Sequence, residues 1–238
     1  METLYNSIMN RKSLYLVLLV CLVLSACSGD AAKKSGEPTG GSAATGEPTR
    51  SLPKIVAFGD SLTAGYGLPP TLSYPSLLQR KLDDAGYKLE VVNAGVSGDT
   101  SAGGVRRIDW ALDGDVRVVI LELGANDILR GQPVPEMKKN LAQIIERCKV
   151  KGAQVLLAGM EAPTDSGPEY RKAVHEAFPQ LAKDYNIPLI PFLLAGVAGI
   201  DSLNQNDGIH PNQRGQEIVM NTVFESLRPI LDSSPHAK

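Results

Sequence analysis

The chain has 238 residues, of which 43% are hydrophobic, and its formal net charge at pH 7 is -2. This length favours one domain with extensions, and the apolar content is enough to form a sizeable core. A nearly neutral chain lacks the basic surface of a nucleic-acid-binding protein, so no nucleic-acid partner is expected.

The first 26 residues have the features of an export signal. Arg11 and Lys12 form a short positive region, and an apolar run over residues 14–24 follows it. That run has the length of a signal-peptide core and is too short to span a bilayer comfortably. Met9 is an alternative start to Met1, because it closely precedes the positive region.

The segment Leu24-Ser25-Ala26-Cys27 resembles a bacterial lipobox. In such a sequence the cysteine carries the lipid and becomes the new N-terminus, and a serine at the next position, as here, suggests the outer membrane. The resemblance implies that Cys27 is lipidated and that the protein is a lipoprotein on the periplasmic side of a bacterial membrane. Several acyl chains would hold it there stably. An ordinary signal peptide or an uncleaved anchor is the alternative.

Residues 27–52 are predicted to comprise the lipidated cysteine and a linker. The linker is rich in Gly, Ser, Thr, Pro and Ala, and it contains the tetrapeptide Gly-Glu-Pro-Thr twice, at 36–39 and 46–49. This composition buries too little apolar surface to fold and is typical of a flexible tether. The folded domain is predicted over residues 53–238.

From residue 53 onward, strand and helix patterns alternate. Short apolar runs predict strands over 54–58, 89–92, 116–121, 154–158 and 188–192, with 116–121 as the central strand. Apolar residues at helical spacing predict helices over 74–85, 100–112, 135–151, 168–185 and 212–231, and Pro179 is expected to kink or split the fourth. This alternation predicts an α/β fold with a parallel sheet, whose ligands bind beyond the carboxyl ends of the strands.

A candidate nucleophile follows the first strand, in the segment Gly59-Asp60-Ser61-Leu62. A serine at this turn presents its hydroxyl at the edge of the sheet, and its backbone N–H is free to face an incoming carbonyl. Gly59 allows the chain to turn tightly before the serine. Taken by itself, Ser61 could equally be a turn or helix-capping residue.

Two candidate hydrogen-bond donors follow the next two strands. Gly98 leaves its N–H unshielded by a side chain, and Asn126 offers a side-chain amide at the same edge of the sheet. The alternatives are a plain glycine-rich connection around Gly98 and a turn-forming pair at Asn126 and Asp127.

The candidate base is His210, in the segment before the last helix. Of the two other histidines, His175 is expected on a solvated helix face and His236 in the C-terminal tail. Asp207, three residues before His210, can fix the tautomer of the imidazole and stabilise the imidazolium. Together, the nucleophile, the donors and the base with its orienting carboxylate are the groups that acyl transfer requires.

These segments resemble the four conserved blocks of the SGNH-hydrolase superfamily, also called GDSL esterases. Gly59-Asp60-Ser61-Leu62 matches the first block, Gly98 the second, Gly124-Ala125-Asn126-Asp127 the third and Asp207-Gly208-Ile209-His210-Pro211 the fourth. Further similarity over 64–68, 93–100 and 129–131 points to the bacterial periplasmic multifunctional acyl-thioesterase/lysophospholipase and arylesterase subgroup. The α/β-hydrolase fold is disfavoured, because Ser61 lacks the second glycine of a Gly-x-Ser-x-Gly elbow.

The resemblance implies a flavodoxin-like three-layer α/β/α fold with a five-stranded parallel sheet. It implies that Ser61 is the nucleophile, His210 the general base and Asp207 the residue that orients His210. The oxyanion hole would consist of the Ser61 N–H, the Gly98 N–H and the Asn126 side chain. No metal or organic cofactor is implied, and the histidines lack a cluster with zinc-ligand spacing.

The expected activity is that of a serine esterase that forms an acyl-enzyme and hydrolyses acyl or aryl esters, thioesters or lysophospholipids. We expect a monomer whose partners are a small acyl-ester or lipid substrate and, through the N-terminal anchor, a membrane. A carbohydrate O-deacetylase of the same superfamily is an alternative, which the aromatic content of 5% disfavours. A catalytically idle, lipid-anchored binding protein is a further alternative.

Two other features have open interpretations. The apolar stretch over 192–200 is hypothesised to line an acyl pocket, although a plain core segment explains it equally well. Cys148 lies in an apolar helical pattern and is interpreted as a small core residue, because no motif surrounds it that would suggest a catalytic cysteine.

Overall fold

A computed structural model describes residues 52–233 of the chain. The predicted signal peptide, Cys27, the linker before Leu52 and His236 lie outside the described residues, so those predictions stand as made. Among residues 52–233, no helix combines the length and the apolar character needed to cross a bilayer.

Five parallel strands form one sheet. They are β1 (Lys54–Gly59), β2 (Glu90–Gly95), β3 (Val116–Glu122), β4 (Gln154–Ala158) and β5 (Leu189–Ile190), arranged in the order β2-β1-β3-β4-β5. This order is that of flavodoxin-like doubly wound sheets. The predicted fold class is confirmed, and so is the central position of the strand at 116–121.

Within residues 52–233, seven α-helices connect and cover the strands. They are α1 (Ser61–Ala64), α2 (Tyr74–Asp84), α3 (Ser101–Ala111), α4 (Ala125–Leu129), α5 (Val134–Val150), α6 (Pro168–Tyr185) and α7 (Gln213–Asp232), with short 3₁₀ turns at Pro70–Leu72 and Asp201–Leu203. The five helices predicted from the sequence are confirmed to within one residue at each end. The short helices α1 and α4 were not predicted, because four or five residues are too few to show a helical period.

The sheet lies between two helical layers. Helix α2 packs against α7, whereas α5 packs against both α3 and α6. Helices α2 and α7 cover one face of the sheet, and α3, α5 and α6 cover the other. The connection from β1 to β2 and the connections from β2 through β5 run in opposite directions across the sheet, and right-handed crossovers then place their helices on opposite faces. The three inner strands β1, β3 and β4 are therefore buried on both faces, and their side chains are almost all inaccessible to solvent. Cys148 of α5 is fully buried in the same core, which confirms its structural interpretation.

Two predicted strand boundaries differ from the structure by more than one residue. Strand β2 was predicted to end at residue 92, but it continues to Gly95 because Asn93, Ala94 and Gly95 pair in register with the end of β1. Strand β5 was predicted over 188–192 and is reduced to Leu189–Ile190, where it pairs with the end of β4. Pairing with a neighbouring strand determines where β2 and β5 end. An apolar run in the sequence gives no information about this pairing.

Helix α6 runs without a break through Pro179. Of the two outcomes expected at Pro179, a kink or a split, the split is wrong. A proline removes only one helical hydrogen bond, that of its own missing N–H. The flanking residues Phe178 and Leu181 are 1% and 3% exposed. Their burial holds both halves of the helix against the domain and outweighs the lost bond.

Gly215, in the first turn of α7, fixes how this helix approaches the chain that precedes it. Its N–H donates to the side chain of Asn212, which caps the helix. A methyl group at Gly215 would overlap the backbone carbonyl oxygen of Leu203 and lie 2.8 Å from Cβ of Pro211. The Leu203 oxygen belongs to the backbone, so it cannot move aside as the end of a flexible side chain could.

We therefore expect Gly215→Ala to destabilise the domain by about 1–3 kcal/mol, as overpacked sites do, although alanine in an open helix stabilises by up to about 1 kcal/mol. The measurement is the free energy of unfolding in urea. Arg214→Ala, at the exposed neighbouring position, is the control and should change stability by no more than about 0.5 kcal/mol. A stability of Gly215→Ala equal to or above that of the wild type would contradict the packing described here.

Candidate active site

Ser61 lies where β1 ends and α1 begins, at the carboxyl edge of the sheet. Asp60 caps the short helix, because its side chain accepts a hydrogen bond of 3.0 Å from the N–H of Leu62. As the first residue of the helix, Ser61 has an N–H without an acceptor in the preceding turn. Both its hydroxyl and its N–H are thus available to the cavity beside it.

The three predicted catalytic side chains form one continuous chain of hydrogen bonds. Oγ of Ser61 lies 2.8 Å from Nε2 of His210, and Nδ1 of His210 lies 2.7 Å from Oδ2 of Asp207. The loop that carries Asp207 and His210 thereby reaches Ser61 across 149 residues of sequence. This is the geometry in which a histidine can take a proton from a serine.

Asp207 also holds its own loop in shape. Its Oδ1 accepts hydrogen bonds from the N–H groups of Ile209 at 3.1 Å and His210 at 3.0 Å. The hydrogen bond from the His210 side chain, followed by that from the His210 N–H, lowers the pKa of Asp207 to about 2. The carboxylate therefore stays ionised at neutral pH, where it can orient the imidazole and stabilise the imidazolium.

Tyr66 and Gln205 support the histidine loop from outside. The ring of Tyr66 lies 4.7 Å from the ring of His210 and is tilted by 41° to it. The side chain of Gln205 donates to the carbonyls of Tyr66 at 2.7 Å and Pro211 at 3.0 Å, and its N–H donates to the carbonyl of His210. Gln205 therefore connects the segment after α1 with the segment before α7, on either side of the imidazole.

The predicted oxyanion donors lie on the same cavity. Asn126 is the second residue of α4, and Gly98 has a φ of +81°, the left-handed conformation that glycine adopts without strain. Arg130 fixes the loop of Gly98, because its guanidinium donates to the Gly98 carbonyl at 2.9 Å. The cavity that Ser61, Gly98, Asn126 and His210 share has a volume of about 600 Å³.

Much of the cavity wall is apolar, with aliphatic or thioether side chains from Leu62, Ile128, Leu129, Met160 and Leu194. The stretch over 192–200 contributes both to the cavity and to the core. Phe192 and Leu194 line the cavity, whereas Leu193 and Val197 are fully buried in the core. This size and wall composition suit a small apolar ligand.

A buried carboxyl group lies directly behind the serine turn. Oε2 of Glu122, the last residue of β3, accepts hydrogen bonds from the Asp60 N–H at 3.1 Å and the Thr63 hydroxyl at 2.8 Å. Within the described residues its Oε1 has no hydrogen-bond partner. Burial, reinforced by the neighbouring carboxyl of Asp60, raises the pKa of Glu122 well above its ordinary value. Glu122 was not predicted as a site residue, because its only signal in the sequence is a carboxyl group at the end of an apolar run.

Arg107 is a second residue near the site that was not predicted from the sequence. Its guanidinium donates to the carbonyls of Gly59 and Ala94, each at 2.7 Å, and its Nε lies 2.7 Å from Oδ2 of Asp99. It also lies over the ring of Phe58, 3.9 Å from the ring centroid. One side chain of α3 therefore joins the ends of β1 and β2, from which the loops of Ser61 and Gly98 begin.

His175 lies outside the cavity that Ser61 and His210 line. The side chain of His175 is 70% exposed and lies 2.8 Å from Glu161, which confirms its place on a solvated face. Among residues 52–233, no group of three or more His, Cys, Asp or Glu side chains is arranged to hold a metal ion.

Comparison with known proteins supports the family resemblance. The model of the GDSL-like Lipase/Acylhydrolase family matches residues 57–218. Esterase TesA of Pseudomonas aeruginosa is 39% identical over 178 residues, which cover 74% of this chain and 89% of TesA. The Escherichia coli (strain K12) protein named thioesterase 1/protease 1/lysophospholipase L1 is 36% identical over 179 residues, covering 75% of this chain and 85% of that protein.

A solved structure agrees with this result. The psychrotrophic esterase EstA of Pseudoalteromonas sp., in a structure inhibited by monoethylphosphonate, is 35% identical and superposes with a TM-score of 0.72. The match covers 99% of the EstA chain and 76% of this chain. The family and subgroup inferred from the sequence are both confirmed.

The raised pKa of Glu122 predicts how its replacement by glutamine changes stability with pH. Because the folded pKa lies above the ordinary value of 4.5, the contribution of this group is fully present below that value and is lost as pH rises through the folded pKa. Glutamine keeps an acceptor for the Thr63 hydroxyl but does not titrate.

Accordingly, the stability of Glu122→Gln relative to the wild type should increase from about pH 5 to about pH 8. Urea unfolding of both proteins at each pH measures this difference. A difference that is the same at both pH values, or that shrinks as pH rises, would show that Glu122 is ionised without penalty in the folded protein.

Proposed function

Because the chain belongs to the GDSL-like lipase/acylhydrolase family and is a carboxylic ester hydrolase, we propose that it cleaves acyl esters through Ser61, His210 and Asp207, with an acyl-enzyme as intermediate. The observation that carries this proposal is the chain of hydrogen bonds from Ser61 through His210 to Asp207, at 2.8 and 2.7 Å. All of these groups come from one chain, so the site needs no second subunit to supply them.

The proposed reaction has two halves. Nε2 of His210 takes the Ser61 proton as Oγ attacks the ester carbonyl, and the oxyanion accepts hydrogen bonds from the Ser61 N–H, the Gly98 N–H and the Asn126 amide. As the tetrahedral intermediate collapses, the C–O bond to the alcohol breaks and His210 protonates the departing oxygen. Water, deprotonated by His210, then attacks the acyl-enzyme, and the carboxylic acid leaves as Ser61 regains its proton.

We further propose that the acyl group is a hydrocarbon chain rather than acetate. The apolar part of the cavity wall beside Ser61 supports this, since its aliphatic and thioether surface suits a hydrocarbon chain. Trp110, the one tryptophan of the chain, is 75% exposed and does not line the cavity. An aromatic platform for a carbohydrate would therefore have to come from Tyr66 or Phe192.

Lipid-derived esters are the substrates that the surroundings of the cavity favour. Five exposed large apolar side chains lie on the cavity wall or next to it in sequence: Tyr66, Val96, Leu129, Ile200 and Ile209, each between 42% and 53% exposed. Such a cluster suits an amphipathic substrate whose chain enters the cavity while its polar end stays in water. Lysophospholipids and long-chain acyl esters have this form.

The proposed location is the periplasmic side of a bacterial membrane, through a lipid on Cys27. The support is the sequence alone, in the apolar run over 14–24 and the lipobox-like Leu24–Cys27 segment. The chain from Cys27 to the first described residue, Leu52, spans about 25 residues and can extend at most about 85 Å. A domain of this size is roughly 40 Å across, so such a tether lets the cavity reach membrane lipids.

The test is hydrolysis of p-nitrophenyl esters from acetate to palmitate by the protein that begins at Ser28, with Ser61→Ala as the matched control. We expect the rate to peak at medium or longer acyl chains and to be abolished in Ser61→Ala, because the cavity wall is apolar and Ser61 is the nucleophile. Activity on acetate only would favour the carbohydrate O-deacetylase. Activity that survives in Ser61→Ala, or no activity on any ester, would refute the proposed mechanism.

A further inference from the structure

The side chain of Asp60 is fully buried, although it adjoins the nucleophile in sequence. Both of its oxygens accept hydrogen bonds from the protein. Oδ1 accepts from the Leu62 N–H at 3.0 Å, and Oδ2 accepts from Nδ2 of Asn126, also at 3.0 Å. Its backbone N–H donates to the buried Glu122. A side chain held on every side in this way has a fixed orientation, and one of its partners is a proposed oxyanion donor.

The bond to Asn126 determines which end of that amide can serve the reaction. An asparagine side chain has a donor end and an acceptor end, which exchange places when the amide turns over. A carboxylate can only accept, so Oδ2 of Asp60 selects the orientation in which Nδ2 faces it. Nδ2 carries two hydrogens, and the second remains for the cavity that Asn126 lines.

The charge of Asp60 is consistent with this role at neutral pH. Burial raises its pKa to about 6, while the hydrogen bonds from Leu62 and Asn126 and the proximity of His210 oppose that increase. Above this value the group is ionised and can only accept hydrogen bonds. An ionised acceptor also makes the hydrogen bond from Nδ2 stronger than a neutral one would.

We propose that Asp60 is a positioning residue of the oxyanion hole, whose carboxylate holds the Asn126 amide with its donor end toward the substrate carbonyl. This inference rests on the proposed function, because it requires Asn126 to stabilise the oxyanion. It assigns the Asp60 side chain a role beyond capping α1. Asp60 touches neither substrate nor reacting atoms in this role, and acts only through Asn126.

The substitution Asp60→Asn separates the two roles of this side chain. Its oxygen can still accept from the Leu62 N–H and cap the helix. Its NH₂ group then faces Nδ2 of Asn126, and two donors cannot bond to each other, so the Asn126 amide has to turn over or withdraw. The oxyanion donor leaves its position, while the backbone of the serine turn keeps its cap.

The test is a double-mutant cycle on kcat and KM with the p-nitrophenyl ester that the wild type hydrolyses fastest. Asp60→Asn and Asn126→Ala should each lower kcat by about 10²–10³-fold, as the loss of one oxyanion donor does, with little change in KM. The double variant should be no slower than Asn126→Ala, because Asp60 has nothing left to position. Losses that multiply in the double variant, or an unchanged kcat in Asp60→Asn, would overturn the proposal.

Two further variants exclude a merely structural effect. Asp127 is 4% exposed and accepts from the N–H and hydroxyl of Ser101, so Asp127→Asn removes an equally buried carboxylate without touching the Asn126 amide. It should lower thermal stability but leave kcat close to wild type. If Asp60→Asn does not fold, Asp60→Ser, which retains a helix-capping oxygen but cannot reach Asn126, replaces it in the cycle with the same expected result.

The same measurements distinguish this inference from the proposed function. Full activity in Ser61→Ala would refute the proposed function itself. Loss of activity in Ser61→Ala and Asn126→Ala, combined with wild-type kcat in Asp60→Asn, would leave the proposed function intact and refute only the positioning role.

Discussion

The contact on which this molecule depends is the 2.8 Å hydrogen bond between Ser61 and His210. The two residues come from the first and the last of the loops at the carboxyl edge of the sheet, so every strand and crossover between them has to be in place before they meet. The parallel sheet makes this possible because all of its strands end at the same edge. Asp207 then needs only a short local loop to reach the far side of the imidazole.

Behind this contact lies a polar layer that is buried where a hydrophobic core would be more stable. Asp60 and Glu122 are both fully buried carboxyl groups, and burying such groups is costly. Arg107 joins the ends of β1 and β2 through their carbonyl oxygens. These groups hold the loops of Ser61 and Gly98 in one arrangement. We infer that burying them lowers the stability of the fold but keeps the site organised before substrate arrives.

Much of this could be predicted from the sequence. Apolar periodicity located all five strands and the five long helices, and the motifs around Ser61, Gly98, Asn126 and His210 identified residues that line one cavity. What could not be predicted depends on contacts between distant segments. Strand β2 extends to Gly95 through pairing with β1, α6 passes through Pro179 because its flanks are buried, and Glu122 matters because of what it supports. None of these features leaves a local pattern in the sequence. Asp60 belongs to a recognisable motif, but the role proposed for its side chain follows only from its hydrogen bond to Asn126.

The central claim is that Ser61 is the nucleophile of a preorganised serine esterase, and covalent labelling tests it most directly. The protein that begins at Ser28 is incubated with a p-nitrophenyl alkylphosphonate, and the modified peptide is identified by mass spectrometry alongside residual esterase activity. We predict a single adduct on Ser61, with activity lost in proportion to labelling and no adduct in Ser61→Ala. An adduct on another residue, or esterase activity that persists when Ser61 is fully labelled, would contradict this account.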